Sequence, residues 1–220
     1  MSIKIIVTED GSHSLFDDEL NEAYHSIRGA KGESMHVFVK NGLDHWLAQN
    51  SDRKTRVLEV GFGTGLNAFL TAKAADNCEQ KIHFTSIEPY PLERDVYARL
   101  NFAENDREIK LLSTIHESSW EKEVAITPYF ELHKTSTKLE DFNTFETFNI
   151  IYFDAFAPSK QPEVWSPENL KKCYKLLSFG GLLTTYCAQG QFKRNLAKVG
   201  FRVQTLQGAM GKKEMVRAIK

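Results

Sequence analysis

Hydrophobic and polar residues follow two different periods along most of the chain. Short runs of β-branched and aromatic residues at 56–60, 81–88 and 148–153 are typical of buried strands, whereas 66–75 and 191–199 repeat their apolar positions at helical spacing. Strands that alternate with helices of about 10 to 15 residues predict a parallel sheet covered by helices on both faces. The pattern therefore predicts an α/β protein.

The two ends of the chain depart from this alternation. Residues 3–8 and 14–16 predict short strands around a Glu-Asp-Gly turn, and residues 33–49 carry apolar side chains at mixed helical spacing. Near the other end, strands at 201–206 and 214–219 are separated by glycines and predict a closing hairpin with one antiparallel strand. We expect an N-terminal appendage before the main domain.

Other elements are predicted mainly by their boundaries. A proline in the first turn predicts a helix over 91–101, Ser-Pro-Glu opens a helix at 166–177, and a Gly-Gly pair precedes a strand at 181–187. A helix at 106–115 and a strand at 129–133 complete the prediction. We divide the chain into an appendage and a main domain, with these bounds: 1–50 and 51–220.

Length and composition fit an ordinary globular protein. The 220 residues are 41% hydrophobic and 11% aromatic, which is enough for a sizeable core. No apolar run approaches the roughly 20 residues that span a bilayer, and the N-terminus lacks the pattern of a signal peptide. We expect a cytoplasmic protein with no membrane segment.

Cysteine and histidine spacing favours no metal site. The three cysteines are odd in number and far apart, which argues against disulfides and against a Cys-x-x-Cys motif. The histidines have no ligand-like spacing to each other or to the cysteines. We assign no metal.

Charge is unevenly distributed. The net charge is −1, yet residues 160–220 hold 12 Lys and Arg against 3 Asp and Glu. This asymmetry indicates a polyanionic partner, although solvated basic helix faces explain it equally well. The leading candidates for phosphate contacts are Lys193, Arg194, Lys212 and Lys213.

A glycine-rich turn follows the strand at 56–60. A dinucleotide site normally has Gly-x-Gly-x-x-Gly, whereas this turn is Gly-x-Gly-x-Gly and follows the acidic Glu59, which disfavours a pyrophosphate. Glu59 suits a cationic ligand such as the sulfonium and amino group of S-adenosylmethionine. A merely structural turn is the alternative. The other candidate cofactor residues are Gly61, Phe62, Gly63, Thr64, Gly65 and Asn67.

Two further carboxylates end predicted strands. Glu88 can accept hydrogen bonds from both ribose hydroxyls of an adenosine, although it could also be a solvated strand end. Asp154 follows the apolar run 148–153 and is the best catalytic candidate, as well as a cofactor contact. A carboxylate in this position can orient a ligand and accept its proton.

Several motifs together resemble one known family, and Asp-Ala-Phe-Ala-Pro and Gly-Lys-Lys-Glu-Met are the most specific of them. They lie at 24–38, 59–67, 154–158, 165, 180–188 and 208–215. The chain resembles, over essentially its whole length, the methyltransferase part of MnmC-type tRNA enzymes, which convert the 5-aminomethyl group of wobble uridine to 5-methylaminomethyl.

The resemblance implies a Rossmann-like class I methyltransferase fold, with a seven-stranded, mostly parallel sheet that has one antiparallel strand. It also implies S-adenosyl-L-methionine as cofactor and tRNA wobble uridine, with or without a 2-thio group, as substrate. Two sets of substrate-binding residues are implied: the segment that closes the site, Tyr24, His25 and Ser26, and residues near the base, Phe156, Pro158 and Trp165. Packing in the core is the alternative for both sets.

Bifunctional members of that family carry an additional flavin oxidase domain, and this chain has no second glycine-rich fingerprint. We therefore expect the stand-alone methyltransferase form, with a separate FAD-dependent oxidase acting upstream. Two alternatives remain open. The chain could be a methyltransferase for small amines or an aminopropyltransferase, or it could be a catalytically silent module that binds cofactor or RNA.

Overall fold

The N-terminal part forms a small antiparallel sheet followed by a long helix. The computed structural model describes residues 3–50 and 54–220. The small sheet contains β1 (Ile3–Val7), β2 (His13–Asp17) and β3 (Glu22–Ala23). The helix comprises α1 (Ala30–Ser34), a π-helical stretch (Met35–Asp44) and α2 (His45–Asn50).

The main sheet has eight strands. They are β4 (Thr55–Val60), β5 (Ile82–Ile87), β6 (Glu123–Thr127), β7 (Phe130–Thr135), β8 (Phe148–Phe153), β9 (Leu177–Thr185), β10 (Arg202–Gln207) and β11 (Glu214–Ile219). Their order is β10-β11-β9-β8-β4-β5-β7-β6, and β7, β5, β4, β8 and β9 are parallel. The mostly parallel sheet and the closing hairpin are confirmed, with β11 antiparallel between β9 and β10.

The main sheet has eight strands rather than the expected seven because β6 is an additional strand at one edge. β6 pairs antiparallel with β7, so the sheet has two antiparallel strands rather than one. As an edge strand, β6 alternates exposed and half-buried positions and includes the exposed Glu123 and Ala125. It therefore lacks the apolar run that marks the buried strands.

In the part of the chain that the structure describes, five helices follow β4 and lie between the strands of the main sheet. They are α3 (Leu66–Cys78), α4 (Arg94–Tyr97), α5 (Asp106–Glu117), α6 (Pro167–Leu176) and α7 (Gly190–Val199). Only the four residues of α4 are helical within the expected 91–101 helix. Beyond α4 the chain extends toward β2, where the Asn101 side chain accepts the backbone N–H of His13 at 2.6 Å and the Arg99 carbonyl lies 3.0 Å from His13 Nδ1.

Two hydrophobic clusters pack the helices and the small N-terminal sheet against the main sheet. One includes Phe38 of the π-helical stretch, Phe69 of α3 and Leu15 of the small sheet, while the other includes Leu170 of α6 and Leu196 of α7. The N-terminal elements thus share a core with the main sheet. The boundary expected between residues 50 and 51 adjoins residues 51–53, which lie outside the described residues, and the division into domains remains a prediction.

The ends of three adjacent strands position the site. The backbone N–H of Gly61, after β4, donates to the Ile87 carbonyl at 2.9 Å, and that of Asp154, after β8, donates to the Val60 carbonyl at 3.0 Å. The carboxyl ends of β8, β4 and β5 therefore meet at one edge, where such sheets bind ligands. Within the described ranges, no helix is both long enough and apolar enough to cross a membrane.

Candidate functional site

A cavity of about 400 Å³ opens at this edge of the sheet, which is within the size range of small-molecule sites. We call it the first cavity. The strand ends and the small sheet form its walls together. It brings together many of the predicted residues, namely Tyr24, His25, Gly61, Phe62, Gly63, Asn67, Glu88, Asp154 and Phe156.

Gly61 is required by a close backbone approach. Its φ is +96°, and a Cβ at this position would lie 2.6 Å from the carbonyl oxygen of Asp154. Any side chain would therefore collide with backbone and strain the turn. The turn can bring Asp154 against the glycines only because residue 61 has no side chain.

Glu88 is tied to the glycine turn by backbone donors. The N–H of Gly63 donates to Glu88 Oε2 at 3.0 Å, and the N–H of Tyr90 donates to Oε1 at 2.9 Å. Burial raises the pKa of Glu88, while these two donors favour its charged form. Because a carboxylate oxygen can accept more than one hydrogen bond, Glu88 retains capacity for hydroxyl donors in the cavity.

Glu59 lies behind the turn rather than in the cavity wall. Its side chain is fully buried, and Ser86 Oγ donates to its Oε2 at 2.5 Å. Burial raises the pKa of Glu59 well above its usual range. Glu59 is not part of the cavity wall, but Asn67, Asp154 and Glu88 all lie near enough to act on its pKa. Its contact with a cofactor therefore stays a prediction.

Thr64 and Gly65 also lie outside the cavity wall. Thr64 is 1% exposed and its Oγ1 lies 2.7 Å from His25 Nε2, while Gly65 is the N-cap of α3 and packs against His116. The chain turns into α3 at this point, and the contact of these two residues with the cofactor stays a prediction. Their contacts instead hold the glycine turn against the N-terminal segment.

Acidic side chains predominate in the first cavity. Its charged lining residues are Asp17, Glu19, Glu88, Glu140, Asp154 and Glu163, against Lys138 and Lys160. Such a lining favours a cationic ligand. Sequence reasoning missed the lining residues at 17–20 and 138–140, because these loops carry no motif and reach the cavity only through the fold.

A second cavity, of about 550 Å³, adjoins the first. The two cavities share Tyr24, His25, Asp154 and Phe156. The second is lined by the N-terminal segment, including the predicted Ser26, and by the turn at 211–212 near the other end of the chain, including the predicted Lys212. It also contains two residues that sequence reasoning assigned no role, Glu33 and Tyr186.

Asp154 lies where the cavities meet. Asn67 Nδ2 donates to its Oδ2 at 2.8 Å. Burial raises the pKa of Asp154 to about 7, and the nearby Glu33 also raises it, while Asn67 and Lys212 act in the opposite direction. A carboxyl group with this pKa can exchange a proton near neutral pH.

Aromatic and imidazole groups flank Asp154. Tyr24 packs edge-on against Phe156, with ring centroids 4.8 Å apart. Burial lowers the pKa of His25 to about 4, so its imidazole is neutral near pH 7. These side chains provide an apolar, uncharged boundary between the two cavities.

Trp165 and Pro158 do not contribute to either cavity wall. Trp165 is 5% exposed, packs on Phe153 and Phe192, and donates from Nε1 to the Phe156 carbonyl at 2.7 Å. With its ring buried among Phe153, Phe192 and Tyr186, Trp165 has little surface left for a substrate, and its role in substrate binding stays a prediction. Its function is to support the segment that carries Phe156.

Among the four candidate phosphate-binding residues, only Lys212 lines a cavity. Lys193 pairs with Glu214 at 2.8 Å, and Arg194 donates to the Gln191 side chain. Lys213 is exposed beside Lys212. Lys193, Arg194 and Lys213 could therefore contact only a ligand that extends beyond the cavities.

Strand pairing brings together one cluster that sequence spacing did not indicate. His83 Nδ1 lies 2.5 Å from Glu131 Oε2 and 3.1 Å from Glu123 Oε1, close enough for one cation. These contacts are also those of an ordinary surface ion pair, and nothing at the cluster indicates a metal.

The residues around the first cavity fit S-adenosyl-L-methionine. Two buried acceptors beside the glycine turn, Glu59 Oε1 and Asn67 Oδ1, have no donor among the described residues. The acidic lining suits the positive sulfonium and amino groups, and Glu88 can accept ribose hydroxyls. The fold and this site together define a Rossmann-like methyltransferase.

Residues 108–220 match a protein family described as S-adenosyl-L-methionine-dependent methyltransferase. The match covers just over half of the chain, and the chain belongs to this family. It is therefore a methyltransferase whose cofactor is S-adenosyl-L-methionine.

Similar proteins confirm the resemblance to MnmC-type proteins. The chain is 29% identical over 212 residues to the tRNA 5-methylaminomethyl-2-thiouridine biosynthesis bifunctional protein MnmC of Campylobacter hominis, covering 93% of this chain and 31% of that protein. Its identity to the Paraburkholderia phymatum protein of the same name is 30% over 216 residues, covering 92% and 32%. The chain thus spans about a third of the length of these curated relatives.

A solved structure extends this likeness to the fold. The crystal structure of MNMC2 from Aquifex aeolicus matches with a TM-score of 0.82 and 25% identity, covering 99% of this chain and 70% of that one. Streptomyces venezuelae DesVI, at 10% identity and a TM-score of 0.51, shares the fold alone.

Proposed function

We propose that this chain methylates the amino group of 5-aminomethyluridine, with or without a 2-thio group, at the wobble position of tRNA. The observation that carries the proposal is the position of Asp154, which lines both cavities. The first cavity would hold the cofactor and the second the acceptor base. The names of the MnmC relatives support this choice of substrate.

When bound, S-adenosyl-L-methionine supplies a methyl group on a positively charged sulfur. Asp154 would accept a hydrogen bond from the acceptor ammonium and take one of its protons, which frees the nitrogen lone pair. Asn67 would hold the Asp154 carboxylate in place through its 2.8 Å hydrogen bond. Tyr24 and Phe156 would exclude water from the reacting groups.

The proposed RNA partner would extend beyond the second cavity onto the basic part of the chain. Lys212 lines that cavity, and we propose Lys193, Arg194 and Lys213 as phosphate contacts outside it. Residues 160–220 carry 12 Lys and Arg against 3 Asp and Glu, as expected for binding a polyanion. A FAD-dependent oxidase acting upstream, in the cytoplasm, is the proposed source of the aminomethyl group.

The test uses tRNA that carries 5-aminomethyluridine and labelled cofactor, with mass spectrometry of the wobble nucleoside. We expect 5-methylaminomethyluridine from the wild type and a loss of about 100-fold or more in Asp154→Ala, with cofactor binding retained. Asp106→Ala, at the start of α5 and outside both cavities, is the matched control. Methylation of small amines but not of tRNA would contradict the proposed substrate.

A further inference from the structure

The ammonium group of Lys212 lies inside the second cavity and is bound there by other side chains. It forms a close ion pair with the carboxylate of Glu33 and lies 4.9 Å from the ring centroid of Tyr186. The Glu33 side chain is only 7% exposed, whereas that of Lys212 is 37% exposed. A flexible side chain therefore reaches from a turn into a buried, negatively charged position.

This position is fixed independently of Lys212. The backbone N–H of Ser26 donates to Glu33 Oε2 at 3.0 Å, and the Tyr186 hydroxyl donates to the Ala155 carbonyl at 2.8 Å. Both groups would keep their orientation if Lys212 moved away. A buried carboxylate beside an aromatic face is a favourable site for an organic cation.

Asp154 completes the surroundings of the ammonium. Asp154, Glu33, Tyr186 and Lys212 all line the same cavity, and the charges of Glu33 and Lys212 both act on the pKa of Asp154. A cation held by Glu33 and Tyr186 is thus near the group that would receive its proton.

The end of a lysine side chain is a primary alkylammonium, and so is the protonated acceptor of the proposed reaction. We infer that Glu33 and Tyr186 form an alkylammonium subsite, which Lys212 occupies in the free protein and vacates for the acceptor amine. The inference rests on the proposed function only in taking the acceptor to be an amine. Two ammonium groups cannot share the subsite, because like charges at this distance repel each other.

The exchange would select acceptors by their charge. A small amine that carries no phosphate must displace the Lys212 ammonium from Glu33 and provides no anion with which the displaced ammonium can pair. An acceptor on RNA brings phosphates, and the displaced Lys212 can pair with one of them at the cavity entrance. The subsite therefore favours amines carried on a polyanion over small amines.

The test measures binding without methyl transfer. Calorimetry with the S-adenosylhomocysteine-bound protein compares two probes, 5-aminomethyluridine and uridine, on the wild type and on Lys212→Gln. We expect Lys212→Gln to bind 5-aminomethyluridine at least tenfold more tightly than the wild type does, with uridine binding unchanged. Adding Glu33→Gln should remove this gain, and Lys198→Gln, an exposed lysine on α7, should show none.

The inference is wrong if Lys212→Gln binds 5-aminomethyluridine no more tightly than the wild type does. It is also wrong if the affinity for uridine increases by the same factor. Thermal unfolding, followed by circular dichroism, establishes whether each variant folds. If Lys212→Gln does not fold, the measurement is repeated with Lys212→Met. A failure of the proposed function looks different: the wild type would leave tRNA unmethylated, while the selective gain in Lys212→Gln would persist.

Discussion

At the scale of single residues, we expect the ionisation of Asp154 to set the pH range of the proposed reaction. Its pKa is raised to about 7, chiefly by burial, and only the ionised form can accept a proton. We expect kcat/KM to rise with pH through about 7 and then level off. Asp154→Asn should be much slower at neutral pH and recover only as the amine itself deprotonates. Equal activity of Asp154→Asn and wild type at neutral pH would show that Asp154 only positions the substrate.

The same shift predicts a pH dependence of stability. Since the folded pKa of Asp154 is above its ordinary value of 3.8, the folded state retains a proton that the unfolded state releases. The stabilising contribution of this proton is complete below about pH 4 and is lost as pH rises through about 7. We expect Asp154→Asn to gain free energy of unfolding relative to wild type across this window, measured by urea unfolding. If the difference in the free energy of unfolding between Asp154→Asn and the wild type were the same at pH 4 and pH 8, the raised pKa of Asp154 would be contradicted.

Glu88 is expected to act on cofactor affinity alone. Removing a charge-assisted acceptor costs about 1.5–3 kcal/mol, so Glu88→Ala should bind S-adenosyl-L-methionine about 10- to 100-fold more weakly. Calorimetry measures the affinity, and circular dichroism checks the fold. If Glu88→Ala binds S-adenosyl-L-methionine as tightly as the wild type does, Glu88 does not bind the ribose.

Sequence reasoning placed Asp154 and Glu88 at the ends of recognisable buried strands, and both residues line the first cavity. It did not show that Glu59 and Trp165 lie outside both cavity walls. A strand buried on both faces shows no alternation, so the side that Glu59 faces depends on its neighbours. The ring of Trp165 is enclosed by Phe153 and Phe192, which come from other parts of the chain.

At the scale of elements, the end of β4 depends on the missing side chain of Gly61. Gly61 and Gly180 both have positive φ, but only at Gly61 would a Cβ meet another group, whereas nothing lies within 4 Å at Gly180. We expect Gly61→Ala to abolish cofactor binding or folding. Gly180→Ala should cost only about 1–2 kcal/mol of stability and keep cofactor affinity. Similar losses in both variants, by calorimetry and thermal unfolding, would refute the close-approach argument.

Elements were predictable where burial imposes a strong pattern. The apolar runs of β4, β5 and β8 predicted the three strands that carry the site, and Ser166 and Gly200 marked helix ends through their capping roles. β6 and the segment around α4 were not predictable. The first is a polar edge strand, and the second leaves its helix to bond with β2.

At the scale of the whole molecule, the basic part of the chain should make tRNA binding sensitive to salt. Arg194→Glu with Lys213→Glu should weaken tRNA binding and reduce the dependence of the logarithm of affinity on that of salt concentration. Cofactor affinity should not change, since neither residue lines a cavity. Unaltered tRNA affinity and salt dependence, measured by filter binding, would exclude these two residues as phosphate contacts.

The second cavity shows why the complete site could not be predicted. Glu33 and Lys212 are 179 positions apart, and nothing in the sequence motif around either residue indicates that they pair. Their pairing depends on the small sheet, the π-helical stretch and the closing hairpin at once. Local periodicity carries no information about contacts over such separations.

Contacts between the two ends of the chain also bear on the order in which the protein matures during synthesis. Arg28 donates to the Met210 carbonyl, His36 Nε2 lies 2.9 Å from the Gln207 carbonyl, and Glu33 pairs with Lys212. The ribosome makes residues 207–212 long after their partners, whereas every wall of the first cavity is present once residue 164 has emerged. A nascent chain therefore contains every lining residue of the first cavity before it contains Tyr186, Gly211 and Lys212 of the second, so the second cavity is the later of the two to be completed.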